Sequence, residues 1–239
     1  DAAYRRRLLS RFAEFEKQVE DEITSVKVPA TAKTEKDKAV YTSSYLCALE
    51  NYTEIGDYKC FSESVDRTYF RDSYWTVLSM YKSRPDLVRC QILTLAHGVE
   101  ENGDCPAAVT VEWNPFFRNQ YDSPSFFVLM VYDYINHTGD FSILDETVRG
   151  RTVFDWCALA VDKLALYEDE THLIVKAGPH NNRDWANEVN RTGYVTYVEL
   201  LYARALECLS RIAGTRDASC ARRSRALYGG SQTAINSHL

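Results

Sequence analysis

Apolar residues recur three and four positions apart along most of the chain, the spacing of one helix face. Residues 1–26 carry Leu8, Leu9, Phe12, Phe15 and Val19 on such a face, with Arg5-Arg6-Arg7 and many acids on the solvated side. The polar run KVPATAKTEKDK, residues 27–38, reads as a linker. A second helix is expected over residues 39–52, with Tyr41, Tyr45, Leu49 and Tyr52 on one side. A turn-rich connection through Gly56 and Asp57 then leads to Arg71-Asp72-Ser73-Tyr74-Trp75, where Asp72 or Ser73 is the expected helix cap. The helix behind it holds Tyr74, Val77, Leu78 and Tyr81. Pro85 opens another through Leu87, Val88, Ile92, Leu95 and Ala96 to Gly98.

A long loop over residues 101–121 ends at Asp122-Ser123-Pro124, a cap followed by Pro in the first turn. The next helix, 125–138, is strongly apolar (Phe126, Phe127, Leu129, Met130, Val131, Tyr134) and Gly139 stops it. Helices follow over 152–167, 193–213 and 218–238, with a turn or hairpin at 169–176 and the loop AGPHNNRDWANEV before the first of the last two. Strand-like alternation is scarce, so the fold class is all-α. The long connections carry polar and aromatic clusters, and each leads into a helix start. An array of helical hairpins closed into a toroid, with one functional rim, fits this rhythm. A plain bundle is the rival, but it uses shorter loops. The division expected is residues 1–38 as helix and linker and residues 39–239 as an (α/α) barrel portion.

Composition changes the picture in three ways. Aromatic residues make up 13% of the chain, with 16 Tyr, 10 Phe and 4 Trp, many beside carboxylates. That suits sugar stacking as well as core filling. The net charge of −6 argues against a nucleic-acid partner, which needs a basic face. No apolar run is long enough to cross a bilayer. The chain begins at Asp1 rather than Met and reads as trimmed. Seven Cys form no CxxC pair, which speaks against zinc. Cys90 and Cys105 flank a loop and are candidates for a bridge. With sequons at Asn51, Asn136 and Asn190 they point to secretion, a cytosolic protein with free thiols being the alternative.

Carboxylates, an Arg and aromatics on one rim describe a carbohydrate pocket. Rings cover the apolar faces of a pyranose, and charged groups bond vicinal hydroxyls in pairs. Hydrolysis needs two carboxyl groups, roughly 6.5–9.5 Å apart when configuration inverts. The candidates are Asp72, Asp122, Asp184 and Glu188. Asp72 beside Arg71 suits an ionised acceptor; Asp122 suits a cap as much as a sugar. Asp184 and Glu188 are four apart and would share a helix face. There is no GxSxG elbow, no Gly-rich phosphate loop and no HExxH, and the five His are scattered, so a His-based metal site has little support.

The runs RDSYWTVL, PDLVRCQILTLA, YDSPSFFVLMVYDY and RDWANEVNRTGYVTY resemble, in this order, the catalytic domain of six-hairpin (α/α)6 glycosidases, closest in flavour to the glycogen-debranching, amylo-α-1,6-glucosidase-like group. The resemblance covers about residues 52–212. It implies an inverting glycoside hydrolase acting on an oligosaccharide or glycoconjugate without a cofactor. It also implies that Arg71 and Asp72 bind the sugar and that Trp75, Tyr121, Asp122, Arg183 and Trp185 line the pocket. The acid of that family falls two residues after a Trp in the loop matched by 181–188, where this chain has Asn187, an amide that cannot donate such a proton. Asp184 or Glu188 then becomes the expected acid. If neither serves, the chain is a binding relative on the same scaffold; a helical interaction module is the reading without a sugar. Six hairpins need more than 239 residues, so a further segment or second chain would complete the barrel and carry the base.

Overall fold

The computed structural model describes residues 2–62, 66–214 and 216–239. Asp1 of the first expected helix and residues 63–65 of the connection after the second therefore lie outside the described residues. Two compact units are found, Asp1–Asn51 and Tyr52–Leu239.

The first unit holds α1 (Ala2–Ser25) and α2 (Glu35–Glu50). The second helix starts inside the expected linker because Thr34 and Asp37 form a capping box. The Thr34 hydroxyl accepts from the Asp37 N–H, and the Asp37 carboxylate accepts from the Thr34 N–H at 3.1 Å.

The second unit begins with a hairpin, β1 (Tyr52–Ile55) and β2 (Tyr58–Phe61), turned at Gly56 and paired Tyr52 to Phe61. Then come β3 (Arg67–Tyr69), α3 (Phe70–Val77), α4 (Pro85–Gly98), β4 (Ala108–Thr110), β5 (Pro115–Phe116) and α5 (Ser123–Thr138). They are followed by β6 (Thr147–Val148), β7 (Arg151–Thr152), α6 (Val153–Ala165), α7 (Thr196–Ala213) and α8 (Ala218–His238). The strands form three small antiparallel sheets, β1-β2, β3-β4-β5 and β6-β7. The sequence did not announce them. Pairs of two to four residues have no period to read, and their partners are set by the turns between helices.

Among the described residues of this unit six helices make three hairpins, α3/α4, α5/α6 and α7/α8. Alternate helices α3, α5 and α7 pack side by side as an inner layer, and α5 also touches α4 and α6. Its position explains its composition: twelve of its sixteen residues are buried. Apolar on every side, it is a core helix rather than a surface one. Gly139 ends it in the left-handed region at φ 72°. This is the all-α architecture of an (α/α) toroid. Among the described residues all seven Cys are free, so the expected Cys90–Cys105 bridge is not formed; Cys105 is buried and reaches the Gly103 carbonyl instead.

The three inner helices start at the same end. The loop 99–122, from α4 to α5, and the loop 166–195, from α6 to α7, both lie there. Within the first, Gly103 sits at φ 86°, so close to α6 that an added Cβ would stand 2.4 Å from the Leu159 carbonyl oxygen.

Candidate functional site at the rim of the inner helices

Asp122 occupies the N-cap position of α5, yet its side chain makes no cap hydrogen bond. It turns across the rim. The Arg71 guanidinium, from the first turn of α3, donates to Oδ2 at 2.8 Å, and the Tyr197 hydroxyl, from the first turn of α7, donates to the same oxygen at 3.0 Å. One carboxylate thus ties together the starts of all three inner helices. Its side chain is fully buried, and Oδ1 has no hydrogen-bond partner among the described residues. Burial pushes the Asp122 carboxyl above the ordinary carboxylate range, against the pull of Arg71 and then Tyr197. Burial works against the Arg71 charge too, but Asp122, and more weakly Asp72, hold the guanidinium charged and raise its pKa.

The loop carrying Asp184 closes on itself. Lys176 and Gly193 exchange backbone hydrogen bonds at 3.1 and 2.9 Å, with Gly193 at φ 77°, and the Tyr121 N–H donates to the Arg183 carbonyl at 2.9 Å. Residues 181–189 are turns rather than the helix that the four-residue spacing suggests. Asp184 and Glu188 therefore do not share a face: Asp184 is buried and Glu188 is exposed. Pro179 and Gly178, the latter at φ 69°, keep the segment from running as one helix. Asp184 is held on both oxygens. Lys176, itself fully buried, binds Oδ2; Arg191 binds Oδ1; and the Ala186 N–H donates to Oδ1 at 2.9 Å. A carboxylate with two cations and a backbone donor is positioned as an anion, not as a proton donor. It lies near enough to Asp122 to disfavour that group's charge.

Aromatic rings border this cluster. Trp185 is 56% exposed, stands edge-on to Tyr197 at 6.2 Å between centroids, and has the Arg191 guanidinium 5.8 Å from its ring. Trp75, 55% exposed, packs its edge on Phe126 one turn into α5. Tyr121 is buried beneath, with the Lys176 ammonium 5.2 Å from its ring. Arg183 lies over Phe117 at 4.7 Å. Asp72 is in the first turn of α3 but caps nothing: the N-cap is Tyr69, and Ser73 turns its hydroxyl to the Tyr69 carbonyl. Asn187 is exposed, and its carbonyl accepts from the Asn182 amide at 2.8 Å.

The rim thus unites Arg71, Asp122, Asp184, Tyr121 and Trp185, with Asp72 beside Arg71. Glu188 and Asn187 are exposed on the same loop. Sequence reasoning passed over Tyr197, Lys176 and Arg191. Tyr197 had one signal, its place two residues before an acid in the first turn of a helix. Lys176 and Arg191 had none, since each reads as an ordinary surface cation.

Beside the rim, Glu199 of α7 faces the opposite way. It is fully buried, accepts the Ile174 N–H at 3.0 Å on Oε2, and leaves Oε1 without a partner among the described residues. Burial, reinforced by Glu168 and Asp169, pushes its carboxyl up to about 7. A raised carboxyl stabilises the fold while protonated. That contribution is complete below the unfolded value near 4.5 and is lost as pH rises through about 7. Glu199→Gln is expected to flatten the fall in urea midpoint between pH 5 and pH 8, worth up to roughly 3 kcal/mol. An unchanged pH profile in the variant would assign the slope to other groups.

Among the described residues no set of three His, Cys, Asp or Glu is placed to hold a metal ion, and no helix is long and apolar enough to cross a membrane. No protein-family model matches the chain, and no curated protein matches it. Among solved structures the chain is similar to a rhamnosidase from Klebsiella oxytoca with rhamnose bound, at 19% identity and a TM-score of 0.54 over 70% of this chain. The match spans 32% of the rhamnosidase, so the chain corresponds to less than a third of that protein's length. At this identity the likeness concerns the fold.

Proposed function

We propose that this rim binds a sugar as part of a glycoside hydrolase, acting on an oligosaccharide or glycoconjugate. The observation that carries the reading is the orientation of Asp122. A residue in a capping position that forgoes its cap, pairs with an Arg from another hairpin and keeps one buried oxygen unpartnered is built to meet a donor. Sugar hydroxyls are such donors, and a carboxylate beside a guanidinium matches two vicinal ones. Trp185 and Trp75, more than half exposed at the edge of the cluster, offer apolar faces to a pyranose. Since both Asp184 oxygens are engaged by cations, the proton donor falls to Glu188, the free carboxylate of the same loop; Asp184 positions Trp185 and Arg191. Inversion at the anomeric carbon goes with this reading, and its water-activating carboxylate lies outside the residues assigned. The rhamnosidase makes a 6-deoxyhexose the first sugar to try. Exposed Asn at all three sequons supports an extracellular setting.

Asn187 favours a second reading, a sugar-binding relative that does not hydrolyse, because an amide stands where the resemblance expects an acid. Calorimetric titration with rhamnose and a panel of monosaccharides, together with hydrolysis of the matching aryl glycosides, separates the two. Asp122→Asn is expected to weaken sugar binding by about 10- to 100-fold, the worth of a charge-assisted hydrogen bond. Glu188→Gln is expected to lower kcat and leave affinity unchanged. A wild-type chain that binds but does not hydrolyse, with turnover gained by Asn187→Asp, establishes the second reading. A wild-type chain that binds no sugar sinks both.

A further inference from the structure

The first unit presents an apolar stripe to solvent. Along α1, Leu8, Phe12 and Phe15 are 50%, 64% and 61% exposed, and Val19, half-buried, continues the line. The spacing alternates four, three and four, the a/d spacing of a coiled coil, and Leu9 and Ile23, 62% and 47% exposed, flank it at the e positions. A helix of this make is not stabilised by propensity alone and needs a partner for its seam.

The charge pattern says which partner. The N-terminal half of α1 carries Arg5, Arg6, Arg7 and Arg11, and the C-terminal half carries Glu14, Glu16, Glu20, Asp21 and Glu22 with one cation, Lys17. We propose that α1 pairs with α1 of a second copy of this chain, antiparallel, about a two-fold axis between Phe12 and Phe15. In that register Phe12 of one helix meets Phe15 of the other, and Leu8 meets Val19. Both are a-against-d layers. The next layer outward sets Arg5 against Glu22. Every layer occurs twice by symmetry, as an isologous contact requires. The basic half of each helix lies along the acidic half of its partner. A parallel pair would stack Arg5 on Arg5 and Glu22 on Glu22, and like charges repel at this range. The sequence of α1 is thus its own complement when reversed, a property that an unrelated docking surface would not demand of it.

Sedimentation equilibrium of the whole 239-residue chain, from about 1 µM to about 200 µM, tests this, since self-association is concentration-dependent by mass action. The expected result is a rise in mass toward twice 27.4 kDa. Phe12→Glu should abolish the rise. Arg5→Glu, Arg7→Glu and Arg11→Glu together should also give a monomer, and so should Glu16→Arg, Glu20→Arg and Glu22→Arg together. An equimolar mixture of the two charge-reversed chains should dimerise again, which a merely misfolded variant would not do. Orientation is read by crosslinking in a Cys47→Ser background, because Cys47 is the exposed thiol. A Leu8→Cys chain should form a disulfide with a Val19→Cys chain, and neither with itself. A monomer at all concentrations overturns the proposal and gives the stripe to another partner. Self-crosslinking of Leu8→Cys overturns the antiparallel register.

Discussion

Replacing Asp184 by Asn is expected to lower the thermal midpoint of the second unit by about 10 °C. Lys176 is fully buried, and its ammonium is bound by Asp184, which Arg191 binds as well. Removing the carboxylate's charge leaves two cations facing one amide, one of them without access to water. Breaking a buried pair from one side costs about 3–5 kcal/mol. For a unit of this size each kcal/mol moves the midpoint by roughly 2–4 °C. Lys176→Met should cost less, because Asp184 keeps Arg191 and the Ala186 N–H, and the methionine fills the ammonium's stem. The combination Lys176→Met with Asp184→Leu should regain much of the loss, since apolar residues replace a buried ion pair at little net cost. If the pair serves the rim, that double variant is stable and still fails to bind sugar. Scanning calorimetry beside sugar titration reads both. An Asp184→Asn chain with an unchanged midpoint would show that the pair contributes nothing to stability.

Gly103→Ala is expected to destabilise by about 3 kcal/mol or more, overpacking adding to backbone strain. Its φ of 86° already disfavours a side chain, and the new Cβ would meet the Leu159 carbonyl oxygen at 2.4 Å and the Lys163 Cβ at 2.9 Å. Neither neighbour yields easily: one is helix backbone and the other is the root of a side chain. Gly139→Ala supplies the comparison. Its φ is 72° and nothing lies within 4 Å of the added atom, so only the strain of about 1 kcal/mol applies. The difference in urea midpoint between the two variants measures the contact between the 99–122 loop and α6. Equal midpoints would mean that the loop moves aside, and that its hold on the rim is loose.

The helices and their pairing into hairpins were legible because each buries one stripe, and a stripe has a period. Pro85, Pro124 and Gly139 marked boundaries because their backbone preferences are local. The site was legible only in part. Arg71, Asp122 and Trp185 could be singled out as residue types at helix starts. What Asp122 does there could not, because a cap and an ion pair begin from the same residue, and the deciding partner is fifty-one positions away. The expectation that Asp184 and Glu188 face the same way failed for a related reason. Spacing predicts direction only once the secondary structure is known, and the loop is set by the Lys176–Gly193 bridge. Lys176 was invisible for a third reason: the sequence IVKAG says nothing of burial, and only the fold brings an acid to that ammonium.

The connections of the second unit are unequal. Those at the far end are shorter: 78–84 is a turn, few residues part α7 from α8, and 139–152 is folded into a 3-10 turn and a strand pair. The rim connections, 99–122 and 166–195, are the long ones. Lengthening a loop costs only slowly more in closure entropy, so helix packing places almost no limit on what the rim loops contain. Change in them is cheap for the scaffold, whereas change in α5 is not. These two segments can therefore be rewritten without disturbing the packing of the inner helices.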